Sequence, residues 1–199
     1  KSMVPASIRA DGSSRLKDKW DYFPSAALAW NIKQEAFMQD VKAISQLKLR
    51  IGYGSVGNQA IEPYRIFSQM VPTQNADGST SYTVGRPAAE YLKWERNDQI
   101  NAGIDLGFLK GRLTLTADWY NKLSKDVLLE VQQPVHSGWD KLLKNACEIQ
   151  NRGFEITIGA DPVSGKDWNW HTDVTLSHNK GTFKNIPTLD RTQIQAGQY

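Results

Sequence analysis

A chain of 199 residues is long enough to bury a core as one domain or to be part of something larger. Its formal net charge of +3, with Lys and Arg scattered rather than clustered, does not argue for nucleic acid, and a lone cysteine, Cys147, excludes an internal disulfide framework. No window approaches about 18 consecutive apolar residues, which excludes a transmembrane helix but not a membrane β-barrel, whose lipid face takes only alternate residues.

Successive side chains on a strand point to opposite faces, so alternation of apolar and polar residues predicts β-strands. Seven stretches alternate in this way. Val4, Ala6, Ile8 and Ala10 oppose Ser7, Arg9 and Asp11. Ala26, Leu28, Trp30 and Ile32 oppose Ala27, Ala29 and Asn31, and Leu47, Leu49, Ile51 and Tyr53 oppose Lys48, Arg50, Gly52 and Gly54. Ile100, Ala102, Ile104 and Leu106 oppose Asn101, Gly103 and Asp105. The cleanest stretch sets Leu113, Leu115, Ala117 and Trp119 against Thr114, Thr116, Asp118 and Tyr120. Phe154, Ile156, Ile158 and Ala160 oppose Glu155, Thr157 and Gly159; Trp170, Val174 and Leu176 oppose Asn169, His171, Asp173, Thr175 and Ser177. Each stretch runs roughly 9–11 residues, the length with which a tilted strand crosses a bilayer, and no charge sits mid-strand on an apolar face.

The connections alternate in length. Short, turn-rich ones are expected at residues 108–111 and 161–167, and long ones at 55–92 and 129–152, with a third opening at Asp11-Gly12-Ser13-Ser14-Arg15. Residues 34–45 carry Glu35, Phe37, Met38, Val41 and Ile44 at helical spacing, which predicts a short helix within an otherwise inner turn. With the second strand running inward, Trp30, Phe108, Trp168 and Trp170 fall at one end, and Tyr22, Tyr53, Trp119 and Phe154 toward the other. Two aromatic girdles and alternating loop lengths describe a barrel in lipid. A soluble β-sandwich, with the same apolar faces packed on a second sheet, remains the competing architecture.

Linear motifs favour the first. Ala10-Asp11-Gly12-Ser13-Ser14-Arg15-Leu16, then Tyr22-Phe23-Pro24-Ser25 and Ala29-Trp30, resembles a run found in SusC/RagA-type TonB-dependent outer-membrane transporters. Leu47-Lys48-Leu49-Arg50-Ile51-Gly52-Tyr53-Gly54, Gly57-Asn58-Gln59 and Ile61-Glu62-Pro63-Tyr64 are similar to a second run of that family. Leu92-Lys93-Trp94-Glu95, Asn101-Ala102-Gly103-Ile104-Asp105, Asn151-Arg152-Gly153-Phe154-Glu155 and Ser177-His178-Asn179-Lys180 match further motifs in family order. Cys147 departs from the family's usual glycine, which bears on the local turn geometry.

The resemblance implies an all-β chain of antiparallel strands. It would be a slice of a transmembrane barrel of about 22 strands, with long extracellular loops and short periplasmic turns. Residues 1–199 would form a partial barrel domain of about seven strands, without plug domain or TonB box; the polar residues 188–199 are expected to precede missing closing strands. The implied function is import of large nutrients, oligosaccharides or peptides, across the Gram-negative outer membrane. A SusD-type surface lipoprotein and the TonB complex would be its partners, and no cofactor or catalysis is implied. The alternative is a soluble β-sandwich carbohydrate-binding module.

In the barrel setting Arg9, Lys48, Arg50, Asp105, Asp118, Glu155 and Asp173 face the lumen. Leu49, Ile51, Ile104, Leu113, Leu115, Trp119, Ile156, Ile158, Val174 and Leu176 face lipid. Tyr64, Phe67, Tyr82 and Tyr91 in one long loop and Trp139 in another are candidates for substrate or lid contact, since sugars stack on exposed rings; loop aromatics packing on one another is the bland alternative.

Other motifs carry less. Gly52-Tyr53-Gly54-Ser55-Val56-Gly57 fits a dinucleotide fingerprint, but Pro63 follows where a helix must begin. His136, His171 and His178 lack metal-ligand spacing, and His171 is expected as a solvated histidine on a polar face. No G-x-S-x-G elbow exists, and the strand carboxylates are expected to pair across strands with Arg9, Lys48 and Arg50 rather than act as paired acids.

Overall fold

The alternating stretches assemble into one antiparallel sheet. The computed structural model describes residues 2–59, 61–89, 91–133, 138–139 and 141–185. Its strands are β1 Ser2–Met3, β2 Ala6–Gly12, β3 Trp20–Asn31, β4 Ile44–Asn58, β5 Gln69–Gln74, β6 Thr80–Arg86, β7 Glu95–Phe108, β8 Leu113–Gln132, β9 Lys141–Ser164 and β10 Asn169–Asn185. The sheet order is β1/β2, β3, β4, β7, β8, β9, β10, each strand beside its successor, while β5 and β6 form a separate hairpin inside the long β4–β7 connection. Both β1 and β2 pair with β3, so they are one edge strand broken at Val4 and Pro5. Proline has no N–H to give the ladder, but its carbonyl still accepts the Ala27 N–H at 2.9 Å.

Three expectations need correction. The helix over residues 34–45 is instead two 3-10 turns, Ile32–Gln34 and Ala36–Met38, parted by an extended Glu35 at φ −80°, ψ 149°. A segment this short gains little from helix formation alone. Here the Lys33 ammonium takes over by donating to the Met38 and Val41 carbonyls, both at 2.7 Å. Among the described residues of 129–152 the long loop gives way to strand, because β8 and β9 run 20 and 24 residues and pair as far as Gln132 and Lys141. The ladder needs only backbone groups, so it continues where mixed side chains leave no period to read. The connection at 55–92 likewise begins inside β4 and holds the β5–β6 hairpin.

Glycine and positive φ close the tight turns. Gly111 sits at φ +90° after Leu109 and Lys110, which also adopt positive φ, and this helps turn β7 into β8 within four residues, 109–112. Between β9 and β10 the chain reverses at residues 165–168, three residues shorter than the connection expected at 161–167, with the Gly165 N–H donating to the Trp168 carbonyl at 2.9 Å. Cys147 lies buried in β9 opposite Val127, beside a bulge where Asp126 takes φ +53°.

Register joins the strand faces into continuous rows. Counting from the short-turn end, row one is Phe108, Leu113, Ala160 and Thr172, and row two is Leu47, Leu106, Leu115, Ile158 and Val174. Row three is Trp30, Leu49, Ile104, Ala117, Ile156 and Leu176; row four is Leu28, Ile51, Ala102, Trp119, Phe154 and His178. Row five changes character: Tyr53, Ile100, Asn121, Arg152 and Lys180. Beyond it the same face carries Ser55 and Asp98, so charge does appear on this face once the strands outrun the alternating stretch.

The apolar rows have no cover among the described residues. Ile51, Trp119, Phe154, Ile158, Val174 and Leu176 are 38–63% exposed, and the only second sheet described is the β5–β6 hairpin. A β-sandwich would bury this face against another sheet. What core there is lies at the long-loop end, where Leu16, Phe23, Ile61, Ala89, Leu92 and Trp94 bury one another, with Leu128 and Leu143 packed against them.

Candidate functional site

Two regions bring chemistry together: the polar face of the sheet and the cluster of connections at its long-loop end. On the polar face, the row next to Leu115 and Ala117 runs Lys48, Asp105, Thr116, Thr157, Thr175, and the following row runs Arg50, Gly103, Asp118, Glu155, Ser177. The sequence-predicted polar set therefore shares one face, opposite the apolar set. Arg50 spans it, donating to Asp105 through Nε at 3.0 Å and Nη2 at 2.8 Å, and reaching Asp118 at 3.0 Å. Gly103 permits this. A Cβ there would collide with the Asp118 carboxylate and lie 2.9 Å from Arg50 Nη2. Arg9 pairs with Asp11 at 2.8 Å on the edge strand and stands 5.7 Å over the Phe23 ring.

His171 is not simply solvated. Its Nδ1 lies 2.6 Å from Asp161 and its Nε2 2.9 Å from Asp173, where a register shift brings residue 161 toward β10. Both ring nitrogens are engaged by carboxylates, so neither is free to serve a nucleophile. His136 lies outside the described residues; His178 rests against Phe154 with centroids 5.7 Å apart. No cluster of three metal-ligating side chains occurs among the described residues. The glycine fingerprint lies wholly inside β4, and Gly57 serves packing, since a Cβ there would strike the Phe23 ring.

At the long-loop end the buried cluster ties the β2–β3 and β4–β7 connections and β3 into one platform. Phe23 meets Trp94 edge-on at 5.8 Å, the Trp94 indole donates to the Asp18 carbonyl at 3.2 Å, and Arg15 donates to the Ile61 carbonyl at 2.9 Å. Asn145 on β9 clamps residue 93, accepting its N–H at 2.9 Å and donating to its carbonyl at 3.0 Å. Sequence reasoning missed this platform, because its members come from segments lacking any alternation. The Asp-Gly-Ser-Ser-Arg-Leu and Leu-Lys-Trp-Glu motifs were the available signal: Leu16 and Trp94 are their buried members.

The platform presents the loop aromatics outward. Tyr64, Phe67, Tyr82 and Tyr91 are 77%, 60%, 66% and 82% exposed, and no ring contact joins them to one another. Tyr64 holds a positive φ of 63° in its turn, and the Lys17 ammonium lies 5.3 Å from the Tyr91 ring centre. Trp139 is half-buried. Beside Tyr91 a cleft of about 310 Å³ is lined by Leu92, Lys93, Asp126, Leu142 and Asn145. Rings, amides and both signs of charge at one wet surface suit a polar, hydrogen-bonding ligand.

Comparison with known proteins accords with this architecture. The family model TonB dependent receptor-like, beta-barrel matches residues 4–197. The chain is 38% identical over 187 residues to the TonB-dependent receptor SusC of Bacteroides thetaiotaomicron, covering 88% of this chain and 19% of that protein. It is 35% identical to the TonB-dependent receptor P26 of Formosa agariphila, covering 92% and 19%. The chain thus spans about a fifth of the curated relatives it matches. The fold is similar to that of the RagAB peptide transporter, with TM-score 0.83, 24% identity, and coverage of 94% of this chain and 21% of that one. The chain belongs to the TonB-dependent receptor-like β-barrel family.

Proposed function

We propose that these residues form a portion of the wall and the outer loops of an outer-membrane importer of large nutrients, oligosaccharides or peptides. The observation that carries the reading is the pair of opposed faces on an uncovered sheet. Four apolar rows at about 6.8 Å per two residues extend about 27 Å along the strands, or about 21 Å once a tilt of about 40° is taken out. That approaches the apolar band of about 25 Å on outer-membrane barrels. Rows one to four meet lipid, with Trp119 and Phe154 at the outer edge and Phe108 at the inner one. The Arg50–Asp105–Asp118 face lines the lumen.

The whole protein binds and moves cargo rather than transforming it, working with a SusD-type lipoprotein over its loops and TonB beneath. The exposed aromatics at the platform, Tyr64, Phe67, Tyr82 and Tyr91, with the half-buried Trp139, are the contact points for cargo or lipoprotein. Peptide and glycan both fit a surface of rings and amides. Growth of a strain lacking the gene on single glycans or peptides as sole nutrient tests the function. Loss of growth on one class, restored by the intact gene but not by a Tyr64→Ala/Tyr91→Ala variant, is expected. Unchanged growth on every glycan and peptide offered refutes it.

A further inference from the structure

Row five holds a charge arrangement that the import function does not use. Lys180 stands directly opposite Arg152 in the β9–β10 ladder, on the face that carries Phe154, Ile156 and Leu176. Like charges in such cross-strand positions repel. Elsewhere in the chain that repulsion is relieved: Arg9, Arg50, Arg65, Arg86 and Arg96 pair with carboxylates, and Arg15 and Arg112 donate to carbonyls. Among the eight described arginines, Arg152 alone makes no side-chain hydrogen bond or ion pair, and Lys180 makes none either. Glu155, near in sequence, is on the opposite face, and Glu148 is four residues outward on β9, about 13 Å along the strand.

The neighbours of this pair are polar and neutral. The Gln150 amide donates to the Asn121 carbonyl oxygen at 2.7 Å, and both adjoin Arg152 on the same face. One row inward lie Trp119, Phe154 and His178, then Ala117, Ile156 and Leu176. We propose that Arg152 and Lys180, with Asn121 and Gln150 beside them, dock the phosphorylated headgroup of an outer-leaflet lipid whose acyl chains lie along rows three and four. An arginine and a lysine directly opposed in the ladder, with Cα atoms about 5 Å apart, offer a guanidinium fork and an ammonium to one phosphate, and the anion removes the repulsion. The surface is amphiphilic in the same order as the lipid. The inference rests on reading this face as lipid-facing.

The test uses the full-length protein in detergent micelles doped with bis-phosphorylated lipid A, with its dephosphorylated form, or with inorganic phosphate alone. The double variant Arg152→Gln/Lys180→Gln is expected to bind the phosphorylated lipid about 30-fold more weakly, from about five- to sixfold per cation. Arg152→Lys/Lys180→Arg is expected to retain binding. Lys42→Gln/Lys166→Gln, an equal charge change at the opposite end, is expected to leave affinity within about twofold. Equal weakening by the two Gln double variants overturns the proposal. So does equal binding of phosphorylated and dephosphorylated lipid, or inorganic phosphate binding as tightly as the lipid. A nitroxide on Ile158→Cys, in a background without other cysteines, separates the two levels. Relaxation by oxygen dissolved in lipid supports the facing, so a failed lipid titration then sinks the docking surface alone. Relaxation only by a water-soluble agent sinks the facing and the docking surface together.

Discussion

A single arginine walked along β8 measures where the hydrocarbon begins and ends. Leu115 lies in row two, half a row from the middle of the four apolar rows. That is about 3.4 Å along the strand and, with a tilt of about 40°, about 2.6 Å from the membrane midplane. Leu115→Arg is therefore expected to cost about 2–4 kcal/mol, shifting the folded-to-unfolded ratio by about 30-fold to several hundred-fold. Asn121, on the same face in row five, lies about 17 Å along the strand from the middle, about 13 Å in depth. At that boundary Asn121→Arg is expected to cost about 0–1 kcal/mol. Thr116→Arg changes the opposite face, directly across from Asp105, and is expected to stay within about 0.5 kcal/mol. Urea titration of the full-length protein refolded into lipid vesicles reads all three, with folded barrel in outer-membrane fractions as the cellular counterpart. Equal costs for Leu115→Arg and Thr116→Arg would refute the facing. A cost for Asn121→Arg as large as that for Leu115→Arg would refute the depth.

Further expectations follow from individual contacts. Arg50→Gln leaves Asp105, whose side chain is 17% exposed, without its bidentate partner; about 1–2 kcal/mol is expected in the same titration, reduced because Asp118 is 41% exposed and water reaches it. Gly153→Ala brings a Cβ into the His178 carbonyl oxygen and to 2.7 Å from the Tyr120 hydroxyl, so about 1–3 kcal/mol is expected, read as a lowered urea midpoint. Trp94→Ala removes the centre of the outer platform, 6% exposed, together with its bond to the Asp18 carbonyl. A local loss of about 3–5 kcal/mol should appear as faster proteolysis within residues 59–94 while the barrel stays assembled. In the β5–β6 turn, the Ser79 hydroxyl and N–H hold the Asp77 carboxyl below its ordinary range. A group with a depressed folded pKa loses its contribution as pH falls through that value. Exchange of the Ser79 amide should therefore quicken, relative to its intrinsic rate, only in the acid range; an unchanged protection there counts against the turn.

The two faces of the sheet were legible residue by residue, because alternation is a property of neighbours in the chain and needs no partner. Leu113 and Asp118 are assigned by their own strand, and the tight turn at Gly111 by its own residues. Resemblance of motifs in order supplied the family. The tertiary structure decided what depends on residues far apart in sequence. Arg50 reaches Asp118 only because the β4–β7–β8 register aligns residues 68 positions apart. Leu16, Phe23 and Trp94 form a core only because the β2–β3 and β4–β7 connections meet over one end of β3. The turn after β3 looked helical because spacing at 3.6 residues records which side chains could share a face. Whether a helix forms depends on what that face has to pack against, and a short reversal between adjacent strands offers too little. The unpaired charges at Arg152 and Lys180 became visible only when register set them side by side, since no local pattern reveals which cation lacks an anion.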